Sequence, residues 1–130
     1  MGMKADLESE ISKIFSKTWT FRDGQKVPEP SDIQLENHGV RIDATVLYAD
    51  LADSTDLVDT YPDYFAAEVY KAYLTCALRV INKNGGEITA FDGDRVMAVF
   101  IGDRKNTRAA TTALQINWAV QNILNPKLHL

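Results

Sequence analysis

Two aspartates stand where strand-like segments meet turns. Asp50 closes the strand-like segment Arg41 to Ala49, and Asp94 opens the segment that follows Asp92-Gly93. Strand ends on one sheet edge can bring carboxylates within a few ångströms. Two hard oxygen anions so placed suit Mg2+ or Mn2+. Two such ions, about 4 Å apart, activate one oxygen and neutralise a leaving phosphate. Spacing alone reads more simply: Asp-Gly-Asp is common hairpin chemistry, and Asp50 would cap a helix.

The elements that must position this pair follow from hydrophobic periodicity. Asp6 to Trp19 predicts an amphipathic helix with Leu7, Ile11, Ile14 and Phe15 on one stripe. Arg22-Asp23-Gly24 through Pro28-Glu29-Pro30 predicts a linker or ordered loop. The run Val46-Leu47-Tyr48 predicts a strand buried on both faces. Pro62 sits near the first turn of a helix reaching about Ile81, with Phe65, Val69, Ala72, Cys76 and Val80 inward. Asn84-Gly85-Gly86 stops it. Asp92-Gly93 between two β-prone runs predicts a tight hairpin. Asn106 caps a last helix to about Leu124, with Ala109, Ala113, Ile116, Val120 and Leu124 on one face. Asn125-Pro126 ends it. The fold class is α+β: a ferredoxin-like β-α-β-β-α core preceded by a helix. The final strand of that motif is missing, so the expectation is a chain truncated at its C-terminal side. Residues 1–40 form the N-terminal helix and linker, and 41–130 the N-terminal part of the larger domain.

Bulk properties narrow the partners. The 130 residues carry a net charge of -4 and a pI near 5.1. That argues against a nucleic-acid groove or an anionic membrane surface. A nucleotide stays open, because metal supplies local positive charge. One cysteine, Cys76, precludes an internal disulfide. No apolar run is long enough for a membrane span. The start, Met1-Gly2-Met3-Lys4, shows no apolar signal core. The expected compartment is cytoplasmic.

Thr45-Val46-Leu47-Tyr48-Ala49-Asp50-Leu51-Ala52-Asp53-Ser54-Thr55 resembles the first metal motif of class III nucleotidyl cyclases. Asn84-Gly85-Gly86 through Asp92-Gly93-Asp94-Arg95-Val96-Met97-Ala98-Val99-Phe100 resembles their second. The resemblance covers about residues 40 to 124. It implies that Asp50 and Asp94 bind two Mg2+ or Mn2+ ions, joined by the Leu51 carbonyl. The amides of Ala52, Asp53, Ser54 and Thr55 would cradle a triphosphate, since helix N-termini attract anions. The ribose 3′-hydroxyl would attack the α-phosphorus and release pyrophosphate.

Departures from the family pattern concern the base. A lysine common in purine cyclases is replaced by Ala90, a small residue by Arg95, and a frequent phenylalanine by Tyr48. Tyr48 shares a strand face with Asp50. Arg95 supplies fixed donors beside the metal pair. This combination is similar to the pyrimidine cyclases of bacterial Pycsar antiphage systems, which make cyclic UMP or cyclic CMP. UTP or CTP therefore stands ahead of ATP or GTP. The resemblance also implies a homodimer with shared active sites, with a second base-reading residue and an Asn/Arg pair beyond Leu130. The 130-residue piece alone would then be inactive. Alternatives are an adenylate or guanylate cyclase and a non-enzymatic nucleotide-binding or regulatory module. A diguanylate-cyclase relative ranks low, because Phe91-Asp92-Gly93-Asp94-Arg95 lacks that family's paired glycines and following acidic pair.

The remaining residues receive plainer readings. Cys76 is taken as core, Trp19 and Trp118 as packing anchors, and His38 and His129 as ordinary surface residues. Asp53 and Asp56 are explained by helix capping. Arg104-Lys105 is taken as a solvated loop.

Overall fold

The computed structural model describes residues 2–35 and 37–128. His129 lies outside the described residues. The chain divides into two compact units, Met1–Asp43 and Ala44–Leu130.

In the first unit, helix α1 spans Met3–Ser16. It begins and ends three residues earlier than its apolar stripe predicts. Lys17 is already extended, and the Asn37 side-chain amide donates to the carbonyls of Ile14 (2.9 Å) and Lys17 (2.8 Å). Those donations occupy acceptors that a helix end leaves open. The stripe Leu7, Ile11, Ile14 and Phe15 is exposed, and α1 buries no residue.

The stretch expected as a linker begins inside a strand. β1 (Thr20–Asp23) pairs in parallel with β2 (His38–Arg41), Thr20 opposite His38. Trp19 stacks on Phe21 with ring centroids 5.6 Å apart, and the Arg41 guanidinium lies 4.1 Å over the Phe21 ring. Trp19 is thus a surface stacking partner, not a core anchor. Gly39 permits this: a Cβ there would come within 2.9 Å of Phe21. His38 is half-buried, and its Nδ1 accepts from the Gln34 amide at 3.1 Å. It is a strand residue with a partner, not a free loop residue.

The second unit holds a three-stranded antiparallel sheet in the order β3-β5-β4, where β3 is Ala44–Asp50, β4 Glu87–Phe91 and β5 Arg95–Ile101. Helices α2 (Ser54–Thr60) and α3 (Asp63–Lys83) join β3 to β4, and α4 (Lys105–Ala119) follows β5. The expected β-α-β-β-α order is present, with an added break at Tyr61-Pro62 that separates α2 from α3. β5 is central and most buried; Val96, Ala98 and Phe100 pack with Tyr73, Ala77, Ile81 and Ile116.

β3 is an edge strand with two unlike faces. Leu47 and Ala49 pack against the core, whereas Val46 is 61% and Tyr48 54% exposed. The continuous apolar run therefore does not mean burial on both faces. On α3 the inward stripe is Ala66, Val69, Tyr73, Ala77 and Ile81. Apart from Val69 this stripe lies one residue beyond the predicted set, and Cys76 is only half-buried. On α4, Ala109 and Ile116 are buried as predicted, Ala113 and Trp118 are exposed, and Thr112 is fully buried.

Two helix ends are built differently from the prediction. α4 starts after Arg104 in a left-handed conformation (φ 58°), and Asn106 instead accepts from the Thr45 hydroxyl. Helical structure does not end at Asn125-Pro126: α4 passes into a π-helical turn, Val120–Leu124, and then α5, Asn125–Lys127. At the end of α3, Gly85 takes φ +77°, and a Cβ on Gly86 would lie 2.7 Å from the Phe100 ring. Arg108 closes this corner by donating to the carbonyls of Asn84 (3.2 Å) and Asp103 (3.0 Å).

Candidate active site

The end of β3 and the β4–β5 hairpin form one corner. In the ladder Asp50 stands opposite Arg95, and the Leu51 amide donates to the Asp94 carbonyl at 2.8 Å. Directly opposed antiparallel residues have Cα atoms about 5 Å apart. Asp50 faces Arg95 and Leu51 faces Asp94, so Asp50 and Asp94 are diagonal neighbours at the end of the ladder.

The turn itself is shifted by one residue from the expectation. The Asp92 amide donates to the Arg95 carbonyl at 2.8 Å, so the tip is Gly93-Asp94 and not Asp92-Gly93. Asp94 sits in the turn, before β5 begins. Gly93 is needed there for space rather than for a positive φ: a Cβ would come 3.0 Å from the Tyr70 ring. The Tyr70 hydroxyl donates to the Ser54 carbonyl at 3.1 Å, and the Ser54 hydroxyl donates to Asp94 Oδ2 at 2.8 Å. Tyr70 and Ser54 thus tie the hairpin tip to the start of α2.

Beneath the pair lies Tyr73, almost wholly buried. Burial first, then the negative charges of Asp50 and Asp94, push its hydroxyl above the ordinary phenol range. Both carboxylates thus lie near the same hydroxyl. Among the described residues no ion pair involves either aspartate. Two uncompensated hard oxygen donors fit a divalent cation. No cluster of three or more His, Cys, Asp or Glu suited to a metal occurs among the described residues. Further ligands would be backbone carbonyl, water or substrate phosphate, which is the usual habit of Mg2+.

Asp53 is the residue before α2 and adopts a left-handed conformation, φ 59° and ψ 30°. Its side chain makes no capping hydrogen bond, contrary to the capping explanation. Its carbonyl instead accepts from the Leu57 amide at 3.1 Å. The first amides of a helix have no upstream carbonyl to bind, and Ser54 and Thr55 occupy those positions. Leu51 is half-buried and Ala52 exposed in the same loop.

The base-reading candidates lie on the open face of the sheet. Tyr48 stands opposite Met97, one pair along the same face from Asp50 and Arg95. The Arg95 Nε donates to Asp92 Oδ2 at 2.9 Å. That bond, then the nearby Tyr48 and the Asp92 charge, holds the guanidinium above its usual range. A cavity of about 450 Å3 runs beside the edge of β3, lined by Asp50, Tyr73, Asn117 and Val120 among others. Sequence reasoning missed Tyr70, Tyr73 and Asp92. Their only advance signal was the i, i+3 spacing of the two tyrosines, which places them on adjoining helix positions.

No family model matches the chain. Among curated proteins, the uridylate cyclase of Xanthomonas perforans is 52% identical over 128 residues, covering 98% of this chain and 55% of that protein. The uridylate cyclase of Burkholderia cepacia is 47% identical over 130 residues, covering 98% and 57%. The chain spans about half the length of the curated relatives it matches. Among solved structures, a class III adenylyl cyclase-like ATP-binding protein from Pseudomonas aeruginosa aligns with a TM-score of 0.73 at 16% identity, covering 93% of this chain and 29% of that one. A bacterial light-regulated adenylyl cyclase aligns with a TM-score of 0.58 at 24% identity, covering 67% and 43%. By fold, the chain is of the class III nucleotidyl cyclase type. By sequence, it is a homologue of proteins named uridylate cyclase, over almost its whole length.

Proposed function

We propose that this chain is the metal-binding half of a nucleotidyl cyclase that converts UTP, or CTP, into a 3′,5′-cyclic nucleotide and pyrophosphate. The observation that carries this reading is the Asp50–Asp94 corner, locked by the Leu51 amide and with no ion pair to either carboxylate among the described residues. The names of the relatives favour uridine over cytidine. Within this reading residues 41–130 are the N-terminal part of the catalytic domain and 1–40 a helix and linker before it.

Asp50, Asp94 and the Leu51 carbonyl would hold Mg2+ or Mn2+. When bound, the metal supplies Lewis acidity for the ribose 3′-hydroxyl and neutralises the leaving pyrophosphate. Asp50 presents its carboxylate from an exposed strand end, open to substrate. Asp94 is held in one orientation by Ser54, which limits reorganisation during the reaction. The amides of Ala52 to Thr55 would receive triphosphate oxygens. Tyr48 and Arg95 would face the base. The rest of the site would come from chain outside these residues and from a second subunit, so the isolated piece would not turn over. A cytoplasmic role in antiphage signalling is part of the same proposal. No helix among the described residues is long and apolar enough to cross a membrane.

A nucleotide panel with the complete protein tests the reading. UTP or CTP should be cyclised in the presence of Mg2+ or Mn2+, and chelation should stop the reaction. ATP turned over much faster than both pyrimidines would sink the pyrimidine assignment. A second reading, a nucleotide-binding regulatory module, draws on the solved neighbour described as ATP-binding. Tight nucleotide binding with no pyrophosphate release from any triphosphate would favour it.

A further inference from the structure

Arg95 is the only arginine in the corner among the described residues, and its hydrogen bonding is one-sided. Among the described residues it makes one side-chain hydrogen bond, from Nε to Asp92 Oδ2 at 2.9 Å. The backbone joins the same two residues, because the Asp92 amide donates to the Arg95 carbonyl at 2.8 Å. Two bonds thus clasp one pair across the hairpin tip. An Nε contact fixes the plane of a guanidinium and leaves its outer edge, the two terminal amino groups, available as a fork. A small cavity of about 70 Å3 lies beside it, lined by Tyr48, Ala90, Phe91, Asp92, Arg95 and Met97 among others.

The pair is exposed on both sides, with 49% of the Arg95 side chain and 64% of the Asp92 side chain accessible. An exposed ion pair contributes little to stability. Its consequence is therefore geometric: it removes rotational freedom from a long side chain before any ligand arrives.

We propose that Asp92 is a positioning residue for base selection. It holds the Arg95 guanidinium so that its free edge meets a ring carbonyl oxygen of the nucleobase beside Tyr48. Uracil, cytosine and guanine carry such an oxygen and adenine does not, while the small cavity favours the smaller ring. This inference rests on the nucleotidyl cyclase reading above and adds a residue that the metal and phosphate chemistry does not require.

The test uses the complete protein and measures kcat and KM for UTP, CTP and ATP with Asp92→Ala, Asp92→Glu, Arg95→Ala and the double variant. Asp92→Ala should lower kcat/KM for the preferred pyrimidine roughly tenfold, the scale of ordering one arginine side chain, mainly through KM. ATP turnover should fall much less, so that the pyrimidine-to-ATP ratio drops. Asp92→Glu should recover most of the loss. The double variant should match Arg95→Ala, because residues acting through one contact are not additive. If Arg95→Ala lowers the pyrimidine-to-ATP ratio and Asp92→Ala does not, or if their losses multiply, the positioning role is overturned while the base-site reading stands. If Arg95→Ala leaves the ratio unchanged, both fall together. If no nucleotide is cyclised by the parent protein, the function itself is wrong; loss of Arg95-dependent UTP binding over ATP in Asp92→Ala, measured by equilibrium titration, still decides the positioning claim.

Discussion

Asp94 and Arg95 are adjacent in the chain and are held in opposite ways. Asp94 is gripped from three sides: Leu51 takes its carbonyl, Ser54 its carboxylate, and the Tyr70 ring packs under Gly93. Arg95 is steadied through its side chain by one exposed carboxylate at the rim. In the proposed reading the metal position is thus continuous with the packed interior, and the base position is a surface device. On that reading, chemistry common to every substrate would sit where movement is costly, and discrimination between substrates where a few surface residues can change without disturbing the core.

Substitutions at the two positions should separate these roles. Asp94→Asn or Asp50→Ala should reduce metal-dependent turnover of every nucleotide alike, by about a thousandfold or more, since several kcal/mol of metal stabilisation are lost. Full activity in either variant would remove the metal assignment. Arg95→Lys should act differently, keeping the charge but losing the Nε contact and the planar fork. The pyrimidine-to-purine ratio should fall while metal dependence stays the same. A uniform loss for all nucleotides would mean that Arg95 belongs to the metal corner after all.

The supports of Asp94 give the next smaller effect. Ser54→Ala removes the hydroxyl that orients the carboxylate but leaves the oxygen ligands intact. Partners that orient a metal ligand typically contribute 10- to 100-fold in affinity or activity. The expected outcome is therefore an apparent metal affinity roughly tenfold weaker, read from the Mg2+ or Mn2+ dependence of rate. Unchanged metal dependence would mean that Tyr70 and the Leu51 latch suffice without Ser54.

Local pattern revealed the corner; tertiary packing supplied its supports. The apolar run Val46-Leu47-Tyr48 ending in Asp50 and the β-prone runs around Asp92-Gly93 were enough to place Asp50 and Asp94 at one sheet end. Strand order followed, because the hairpin and the intervening helix are short-range features. The phase of α3 was not readable. Alanines and a cysteine blur its periodicity, and Tyr73 turns inward although tyrosine is only moderately apolar. The β1–β2 pairing escaped for a different reason. Its strands are four residues each, and they pair in parallel through a register that no local turn specifies. β3 misled because an apolar run was equated with burial, whereas an edge strand leaves Val46 and Tyr48 open. The turn was displaced by one residue because Leu51 and Arg95 bond around Asp94, contacts that dipeptide preference does not encode.

Tyr73 offers the smallest effect and the most direct physical check on the grip at the metal corner. Its hydroxyl is raised above the usual value near 10 by burial and by both aspartates. A raised folded-state pKa contributes stability that is fully present below the unfolded value of about 10 and lost as pH rises through the folded value. The chain has five tyrosines, so Tyr73→Phe identifies the Tyr73 transition in an alkaline absorbance titration. Asp50→Asn removes a nearby negative charge and should move that transition to lower pH, with the burial contribution remaining. It should still lie above an ordinary phenol. The contrasting control is Asp92→Asn at the rim, which should leave the Tyr73 transition in place. A Tyr73 transition unmoved by Asp50→Asn would mean that the strand-end carboxylate points away from the interior. The convergence of the two aspartates would then lose its electrostatic support, and the tightly held corner would reduce to Asp94 alone.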